Sequence, residues 1–179
     1  MNITLITGAT GGLGRAFAQI FAQKKNNLFL VSTKEDKLKE MKEGLEKEYG
    51  ITVHYLSADL SNKDELKKVY EYSTQNGFFV DNLINNAGFG KLGNVAELTP
   101  TDQASMIDLN CRALTVFTAL TLPYITKKSG ILNVSSIASF APTPRMTVYS
   151  ATKAYVTAFS KGLREELRSH QISVLTVCP

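Results

Sequence analysis

Short apolar runs alternate with longer amphipathic segments along the whole chain. Six of these runs have the length and apolar character of strands: Ile3–Ile6, Leu28–Ser32, Thr52–Leu56, Asn82–Asn85, Gly130–Ser135 and Ile172–Cys178. Several are apolar almost throughout, which is typical of strands that are covered on both faces. Regular strand–helix alternation favours parallel strands joined by right-handed crossovers. The pattern therefore predicts an α/β fold with a doubly wound parallel sheet and helices on both faces.

The segments between the strands have recognisable helix starts. Thr33, Ser61 and Thr99 each precede an aspartate by three residues, a spacing that resembles a capping box. The two longest helices are predicted over Pro100–Thr126 and Val148–Ser169. Proline at the first position of the former is favourable, because the N–H that it lacks has no helical partner there.

Composition excludes several classes of protein. With 179 residues, 44% hydrophobic and 20% charged, the chain has the make-up of one globular domain, and no linker or repeat divides residues 1–179. The net charge is +4, but most lysines lie among acidic residues, so we expect solvated helix faces and no nucleic-acid partner.

No run has the length and composition of a membrane span. Only Cys111 and Cys178 occur, which favours a reducing, cytoplasmic compartment.

A glycine-rich turn, Thr7-Gly8-Ala9-Thr10-Gly11-Gly12-Leu13-Gly14, follows the first strand and opens a helix. Glycines allow a tight turn and let a pyrophosphate approach the backbone, while the free N–H groups of the helix start face the anion. The placement between strand and helix predicts a dinucleotide site. The residues expected to contact the cofactor here are Gly8, Thr10, Gly11, Gly12, Leu13 and Gly14.

A second candidate feature is the step from Tyr149 to Lys153. On a helix, residues four apart share one face, and an ammonium beside a phenol favours the phenolate. That arrangement suits a general acid that delivers a proton to a carbonyl oxygen. Tyr124 and Lys128 have the same spacing, so the spacing alone is weak; the distinction is Ser136, which stands thirteen residues before Tyr149 at the end of a predicted strand.

Together with Asn85-Asn86-Ala87-Gly88 and Asn110, these motifs occur in the order typical of one family. The turn has the spacing Thr-Gly-x-x-x-Gly-x-Gly, and the chain over essentially all 179 residues resembles the compact branch of the short-chain dehydrogenase/reductase family, whose fold is Rossmann-like. One departure is Ala113, where the family often has glycine, at a position that serves helix packing.

The resemblance implies a catalytic set of four residues. Tyr149 is the implied acid/base, and Lys153 assists it and holds the nicotinamide ribose, so both also touch the cofactor. Ser136 is implied to orient the substrate carbonyl. Asn110 is implied to hold a water that continues a proton relay past the lysine.

The resemblance also assigns cofactor contacts outside the glycine-rich turn. Asp59 is implied to meet the adenine amino group, with the backbone of Leu60 beside it. Three consecutive residues, Asn86, Ala87 and Gly88, are implied to lie along the cofactor.

The end of the second strand bears on which nicotinamide cofactor is bound. An NAD enzyme of this fold usually has an acid there to bind the ribose hydroxyls. Ser32 occupies that place and Thr33 follows it, so both are expected to contact the cofactor, and Lys34 comes next. Hydroxyls and a lysine can accept a 2′-phosphate that a carboxylate would repel. The turn lacks a basic residue at Gly11, although Arg15 is near; on balance we predict NADP(H) rather than NAD(H).

The function implied is an NADP(H)-dependent oxidoreductase that interconverts a carbonyl and a secondary alcohol. The stretch Ser139–Pro144 and the segment around Tyr149 look like the branch that includes microsomal 3-ketoacyl and 17-beta-hydroxysteroid reductases, which suggests an apolar substrate. The alternative is a non-catalytic NADP(H)-binding sensor or scaffold, whose expected mark is loss of the tyrosine or lysine.

Three further expectations concern the whole molecule. Relatives continue beyond Cys178-Pro179 with a substrate-covering segment and a seventh strand, so we expect six strands, with the seventh missing, in a C-terminally truncated form. Relatives pair through their two longest helices, which implies a homodimer or homotetramer. His54 and His170 have no companion ligands in sequence, so no metal site is predicted.

Overall fold

The computed structural model describes residues 1–179 and contains a single parallel sheet. Its strands are β1 (Asn2–Thr7), β2 (Leu28–Ser32), β3 (Val53–Ser57), β4 (Phe79–Asn85), β5 (Ile125–Val134) and β6 (Ser173–Val177). The α-helices are α1 (Gly12–Gln23), α2 (Glu35–Tyr49), α3 (Lys63–Gln75), α4 (Pro100–Ile107), α5 (Leu114–Thr121) and α6 (Thr147–Leu167). The strand order is β3-β2-β1-β4-β5-β6, and every neighbouring pair is parallel. The predicted doubly wound α/β sheet is confirmed.

Two hydrophobic clusters form the core, one on each face of the sheet. Successive strand residues point to opposite faces, and Leu5 accordingly joins one cluster while Ile6 joins the other. The first cluster includes Leu66 of α3, Phe117 of α5 and Leu163 of α6. The second is closed by residues of α1 and α2. Helices therefore cover both faces, as the apolar strands require.

The predicted helix over residues 100–126 is wrong in two respects. A π-helical segment, Asp108–Ala113, separates α4 from α5, and the helical stretch ends in a 3₁₀ turn at Leu122–Tyr124. Ile125 and Thr126 belong to β5, which starts five residues earlier than predicted. The extra residues form a bulge, because Val80 pairs with Ile125 whereas Asn82 pairs with Gly130.

Of the three predicted capping residues, only Thr99 caps its helix, accepting from the Asp102 N–H at 3.1 Å. At the start of α3 the cap is Asn62, whose side chain accepts from two backbone N–H groups, because the Ser61 hydroxyl donates to Asp59 instead. Helix α2 begins without any side-chain cap, so the prediction for Thr33 is wrong as well. No helix of the structure has the length and apolar character needed to cross a membrane.

Candidate active site

A cavity of about 600 Å³ lies at the carboxyl end of the strands, within the size range of small-molecule sites. It extends from the end of β2, past the turn after β1 and the end of β4, to the first turn of α6. All the predicted site residues line it except Gly14 and Asn110: Gly8, Thr10, Gly11, Gly12, Leu13, Ser32, Thr33, Asp59, Leu60, Asn86, Ala87, Gly88, Ser136, Tyr149 and Lys153. The fold thus brings together residues from distant parts of the chain.

Two glycines in the turn after β1 are required by close packing. Gly8 has a φ of +63°, and a Cβ there would lie 2.9 Å from the Ala87 Cα. A Cβ at Gly14 would overlap the Gly8 carbonyl oxygen and would lie 2.8 Å from the Ala9 Cα. Gly14 is buried beneath the turn and shapes it without forming part of the cavity wall.

Gly11 and Gly12 have more space around them than Gly8 and Gly14 do. No side chain caps α1, so its first N–H groups face the cavity without a side-chain acceptor. A Cβ at Gly12 would meet nothing within 4 Å. The space in front of an uncapped helix start is what a bound diphosphate needs, since the dipole and free N–H groups favour an anion. The residues present therefore fit a dinucleotide.

Asn86 ties the glycine-rich turn to the end of β4. Its Nδ2 donates to the carbonyl oxygens of Thr7 and Gly8 at 3.1 and 3.0 Å. In return, the Thr7 hydroxyl accepts from the backbone N–H groups of Asn86 and Ala87, both at 3.0 Å. The sequence prediction omitted Thr7 as a site residue, although its place at the head of the glycine motif was a usable signal.

The end of the cavity near β2 is lined by hydroxyls. The Thr10 and Ser32 hydroxyl oxygens lie 2.6 Å apart in a hydrogen bond, and Lys34 stands beside them on the cavity wall. Arg15 donates from Nε to the Thr10 carbonyl at 3.2 Å. Asp59 carries the one side-chain carboxylate among the lining residues.

Asp59 is held in place by local hydrogen bonds. Its Oδ1 accepts from the backbone N–H of Ser61 at 2.9 Å and from the Ser61 hydroxyl at 2.7 Å. The Arg112 guanidinium in turn donates to the Ser61 carbonyl and pairs with Asp108. The carboxylate at this end of the cavity is therefore fixed by its own loop, and its second oxygen has no partner within the protein.

Tyr149 and Lys153 lie one turn apart at the start of α6, and both face the cavity. The Lys153 Nζ is 5.7 Å from the centroid of the Tyr149 ring and donates to the Val134 carbonyl at 2.8 Å. Lys153 is 5% exposed, and this burial lowers the pKa of its ammonium group. Ser136 follows β5 in the same cavity, with its hydroxyl donating to the Pro179 carbonyl at 3.3 Å.

Asn110 lies in the π-helical segment, 1% exposed, behind the cavity wall. Its Nδ2 donates to the Phe89 carbonyl at 2.8 Å and to the Thr152 hydroxyl at 3.0 Å, and its Oδ1 accepts from the Phe89 N–H at 3.0 Å. The side-chain amide thus holds protein groups; the role of Asn110 in placing a relay water stays a prediction. Thr152, which sits inside the Tyr-x-x-x-Lys step, was missed by the sequence analysis.

The neighbouring Cys111 takes no part in this chemistry. Its Sγ donates to the Thr152 carbonyl at 3.7 Å, and burial raises the pKa of the thiol to about 11. The thiol therefore stays protonated at neutral pH and is a poor nucleophile.

The strand order and the position of the cavity identify the type of fold. This is a doubly wound α/β protein with its cavity at the carboxyl edge beside β1 and β4, where the strand order reverses. A sequence model of the family described as short chain dehydrogenase matches residues 2–179. The chain belongs to the short-chain dehydrogenase family, which confirms the resemblance inferred from its motifs.

Curated and solved relatives agree with this family. The very-long-chain 3-oxoacyl-CoA reductase of Anas platyrhynchos is 32% identical over 182 residues, covering 98% of this chain and 58% of that protein. The bulky-bulky ketone specific alcohol dehydrogenase from Comamonas testosteroni superposes with a TM-score of 0.92 at 31% identity, covering 100% of this chain and 72% of that one. A short-chain dehydrogenase from Sphingobium yanoikuyae, solved with NADPH, superposes with a TM-score of 0.92 at 34% identity. The match covers 100% of this chain and 70% of that one.

The chain spans less than two thirds of the length of the very-long-chain 3-oxoacyl-CoA reductases that it matches, 57% to 58% for the first four.

Proposed function

We propose that the protein is an NADP(H)-dependent oxidoreductase that interconverts a carbonyl compound and a secondary alcohol. The observation on which this rests is the pairing of Tyr149 with the buried Lys153 in the same cavity as the uncapped, glycine-rich start of α1. One end of the cavity suits a diphosphate, and the other offers a proton donor beside a cation. Neither the tyrosine nor the lysine is lost or turned away, so nothing favours a non-catalytic sensor or scaffold.

A nicotinamide cofactor, when bound, supplies or accepts the hydride. The open N–H groups of Gly12 and Leu13 would hold its diphosphate, and Asp59 and Leu60 would face the adenine end. Lys153 would bind the ribose next to the nicotinamide. Residues Asn86, Ala87 and Gly88, with Gly8, Thr10 and Gly11, form the remaining wall along the proposed cofactor path.

The proton chemistry is assigned to α6 and to the end of β5. In the reduction direction the Tyr149 hydroxyl donates a proton to the substrate oxygen, and Ser136 donates a hydrogen bond that orients that oxygen. The Lys153 ammonium stabilises the phenolate that remains, because opposite charges attract strongly where water is excluded. In the oxidation direction the phenolate accepts the alcohol proton.

We infer a preference for NADP(H) from the end of β2. The Thr10–Ser32 hydroxyl pair, Thr33 and Lys34 replace the carboxylate that would repel a 2′-phosphate, and Arg15 is nearby. The relative from Sphingobium yanoikuyae was solved with NADPH, which agrees with this inference. Fluorescence titration with NADPH and NADH tests it: NADPH is expected to bind more tightly, and Ser32→Asp is expected to weaken NADPH more than NADH. Tighter binding of NADH to the unaltered protein would contradict it.

An apolar carbonyl is the proposed substrate. Large apolar side chains on the segments after β4 and β5 are exposed near the catalytic end: Phe89 39%, Leu92 60%, Ile137 67% and Phe140 64%. Phe89 lines the cavity itself, and exposed apolar side chains on the segments beside a cavity can form a surface that an apolar substrate covers. The names of the relatives, a 3-oxoacyl-CoA reductase and an alcohol dehydrogenase for bulky ketones, agree with this choice.

The central test is a screen of NADPH consumption across ketones, 3-oxoacyl thioesters and small polar sugars. We expect turnover of the apolar carbonyls, and we expect Tyr149→Phe to lower that turnover by about 10³-fold while NADPH still binds. Full turnover by Tyr149→Phe would overturn the assignment of the acid, and activity confined to polar sugars would overturn the substrate class.

We also propose one cytoplasmic domain over residues 1–179 that forms a homodimer or homotetramer. Ile107, Val116 and Tyr155 are exposed on the long helices and offer an apolar face for a second copy. Analytical ultracentrifugation tests this proposal, and a monomer at all concentrations would contradict it.

A further inference from the structure

Gly90 lies directly against the ring of Tyr149. A Cβ built on Gly90 would be 2.7 Å from Cδ2, 3.0 Å from Cγ and 3.1 Å from Cε2 of that ring. Real Cβ atoms essentially never come within 3.0 Å of another heavy atom, so any larger residue at this position must displace the ring or the backbone. The contact joins two segments that lie far apart in the chain.

Backbone conformation is not the reason for glycine here. The glycines with positive φ are Gly8, Gly50 and Gly77, so the φ of Gly90 is one that alanine adopts freely. The tyrosine ring is therefore the obstacle to a side chain at this position.

The backbone on both sides of Gly90 is held in place. The N–H and carbonyl of Phe89 both bind the side chain of Asn110, which is buried. On the other side, the Lys91 N–H donates to the sulfur of Met106 at 3.3 Å, and Met106 is fully buried. A displacement of the segment would break these contacts, so the ring is the softer partner.

The helix that bears the tyrosine is tied to the same anchor. The Thr152 hydroxyl donates to the Tyr149 carbonyl at 2.7 Å and accepts from Asn110 Nδ2 at 3.0 Å. Asn110 therefore links the backbone beneath the ring to the segment that covers the ring. These contacts hold the backbone on both sides of the ring, so a Cβ at Gly90 would be accommodated by a tilt of the ring itself.

We propose that Gly90 is a positioning residue for the reaction: its missing side chain sets the tilt of the Tyr149 ring and hence the position of the phenol hydroxyl. The inference rests on the proposed function, in which that hydroxyl transfers the proton. Displacement of a reacting group by about 1 Å can cost on the order of a hundredfold in rate.

The test compares Gly90→Ala with Gly93→Ala in steady-state reduction of a carbonyl substrate. Gly93 is in the same loop, and a Cβ there would meet only the Leu98 side chain, at 2.8 Å from Cδ2 and 2.9 Å from Cγ, which does not line the cavity. We expect Gly90→Ala to lower kcat by about tenfold to a hundredfold, with the Kd for NADPH changed less than about twofold. Gly93→Ala should keep kcat within about twofold. A Gly90→Ala enzyme with unchanged kcat would overturn the proposal.

A double-mutant cycle on thermal stability separates this result from misfolding and from failure of the proposed function. Gly90→Ala is expected to lower Tm when Tyr149 is present but not in a Tyr149→Ala background, where the ring is absent. Equal Tm losses in both backgrounds would overturn the contact itself. If Tyr149→Phe keeps full turnover, the proposed function fails, whereas the Tm cycle still reports on the packing of Gly90 against the ring.

Discussion

Two tyrosine–lysine pairs with identical spacing occur in this chain, but they lie in different secondary structure. Tyr149 and Lys153 lie on one continuous helix and face one cavity. Tyr124 ends a 3₁₀ turn, while Lys128 stands on the bulged part of β5 with a φ of +65° and is exposed. A four-residue spacing therefore places two side chains on one face only where a helix runs through both residues.

The partners of the two tyrosines differ as well. The Tyr124 hydroxyl lies 3.2 Å from the Tyr70 hydroxyl, and the two rings pack edge to face. Tyr149 has Gly90 against its ring and a buried ammonium one turn away. Tyr124 thus packs between α3 and the 3₁₀ turn before β5, whereas Tyr149 and Lys153 line the proposed active site.

The largest effect is expected from removal of the phenol hydroxyls. Tyr149→Phe should lower kcat by about 10³-fold, because positioned proton transfer contributes on that order. Tyr124→Phe should leave kcat unchanged. Steady-state kinetics on both variants measures the contrast. Equal losses would mean that the position of Tyr149 on a helix facing the cavity does not set it apart from Tyr124.

Replacement of the lysines should give the next largest difference. Lys153→Met is expected to reduce kcat by about 10²-fold, since it removes the charge that stabilises the phenolate, and to weaken NADPH binding. Lys128→Met should do neither, because Lys128 is exposed and outside the cavity. NADPH titration and initial rates give the comparison, and an inactive Lys128→Met enzyme would refute it.

The pH dependence of stability should report the burial of Lys153. Burial lowers the pKa of Lys153 in the native protein, so the unfolded chain, with a pKa of about 10.4, binds this proton more tightly. Stability from this group is therefore expected to rise as pH increases from the native pKa towards about 10.4. Urea unfolding of the original protein and of Lys153→Met across that range isolates the contribution. The difference between their free energies of unfolding should change with pH, and a difference that stays constant would contradict the expectation.

The smallest effect concerns the tyrosine pair outside the cavity. The hydrogen bond with Tyr124 raises the pKa of Tyr70. In Tyr124→Phe that bond is lost, so the pKa of Tyr70 should fall towards its usual value of about 10. Ultraviolet titration of the tyrosines detects this shift. Tyr149→Phe is the matched control, in which the pKa of Tyr70 should not change.

Much of the fold could be predicted from local patterns. All six strands were identified, because an apolar run bounded by turns reflects strand geometry directly. The bulge in β5 and the π-helical segment were not predicted, since each depends on packing rather than on periodicity. The end of the helix before β5 was misplaced because Pro123 and the partner strand β4 decide it together.

The residues of the candidate site likewise fall into two groups, those that a local motif predicts and those that depend on distant contacts. Gly8, Gly12 and the Tyr149–Lys153 step were recognisable because each is a short motif with local geometry. Thr7, Gly90 and Thr152 were missed, since their roles arise from contacts with residues distant in the chain. No pattern within one segment reports such a contact.

Local patterns in the sequence are sufficient to predict the alternation of strands and helices, the tight turn after β1 and the common face of Tyr149 and Lys153, because each depends on backbone geometry within a few residues. Three features follow only from the folded chain: which tyrosine–lysine pair lines a cavity, the hydrogen bonds of Asn110 to the Phe89 backbone, and the packing of Gly90 on the tyrosine ring. Those contacts depend on strand register and on how helices pack against the sheet, which are properties of the whole chain.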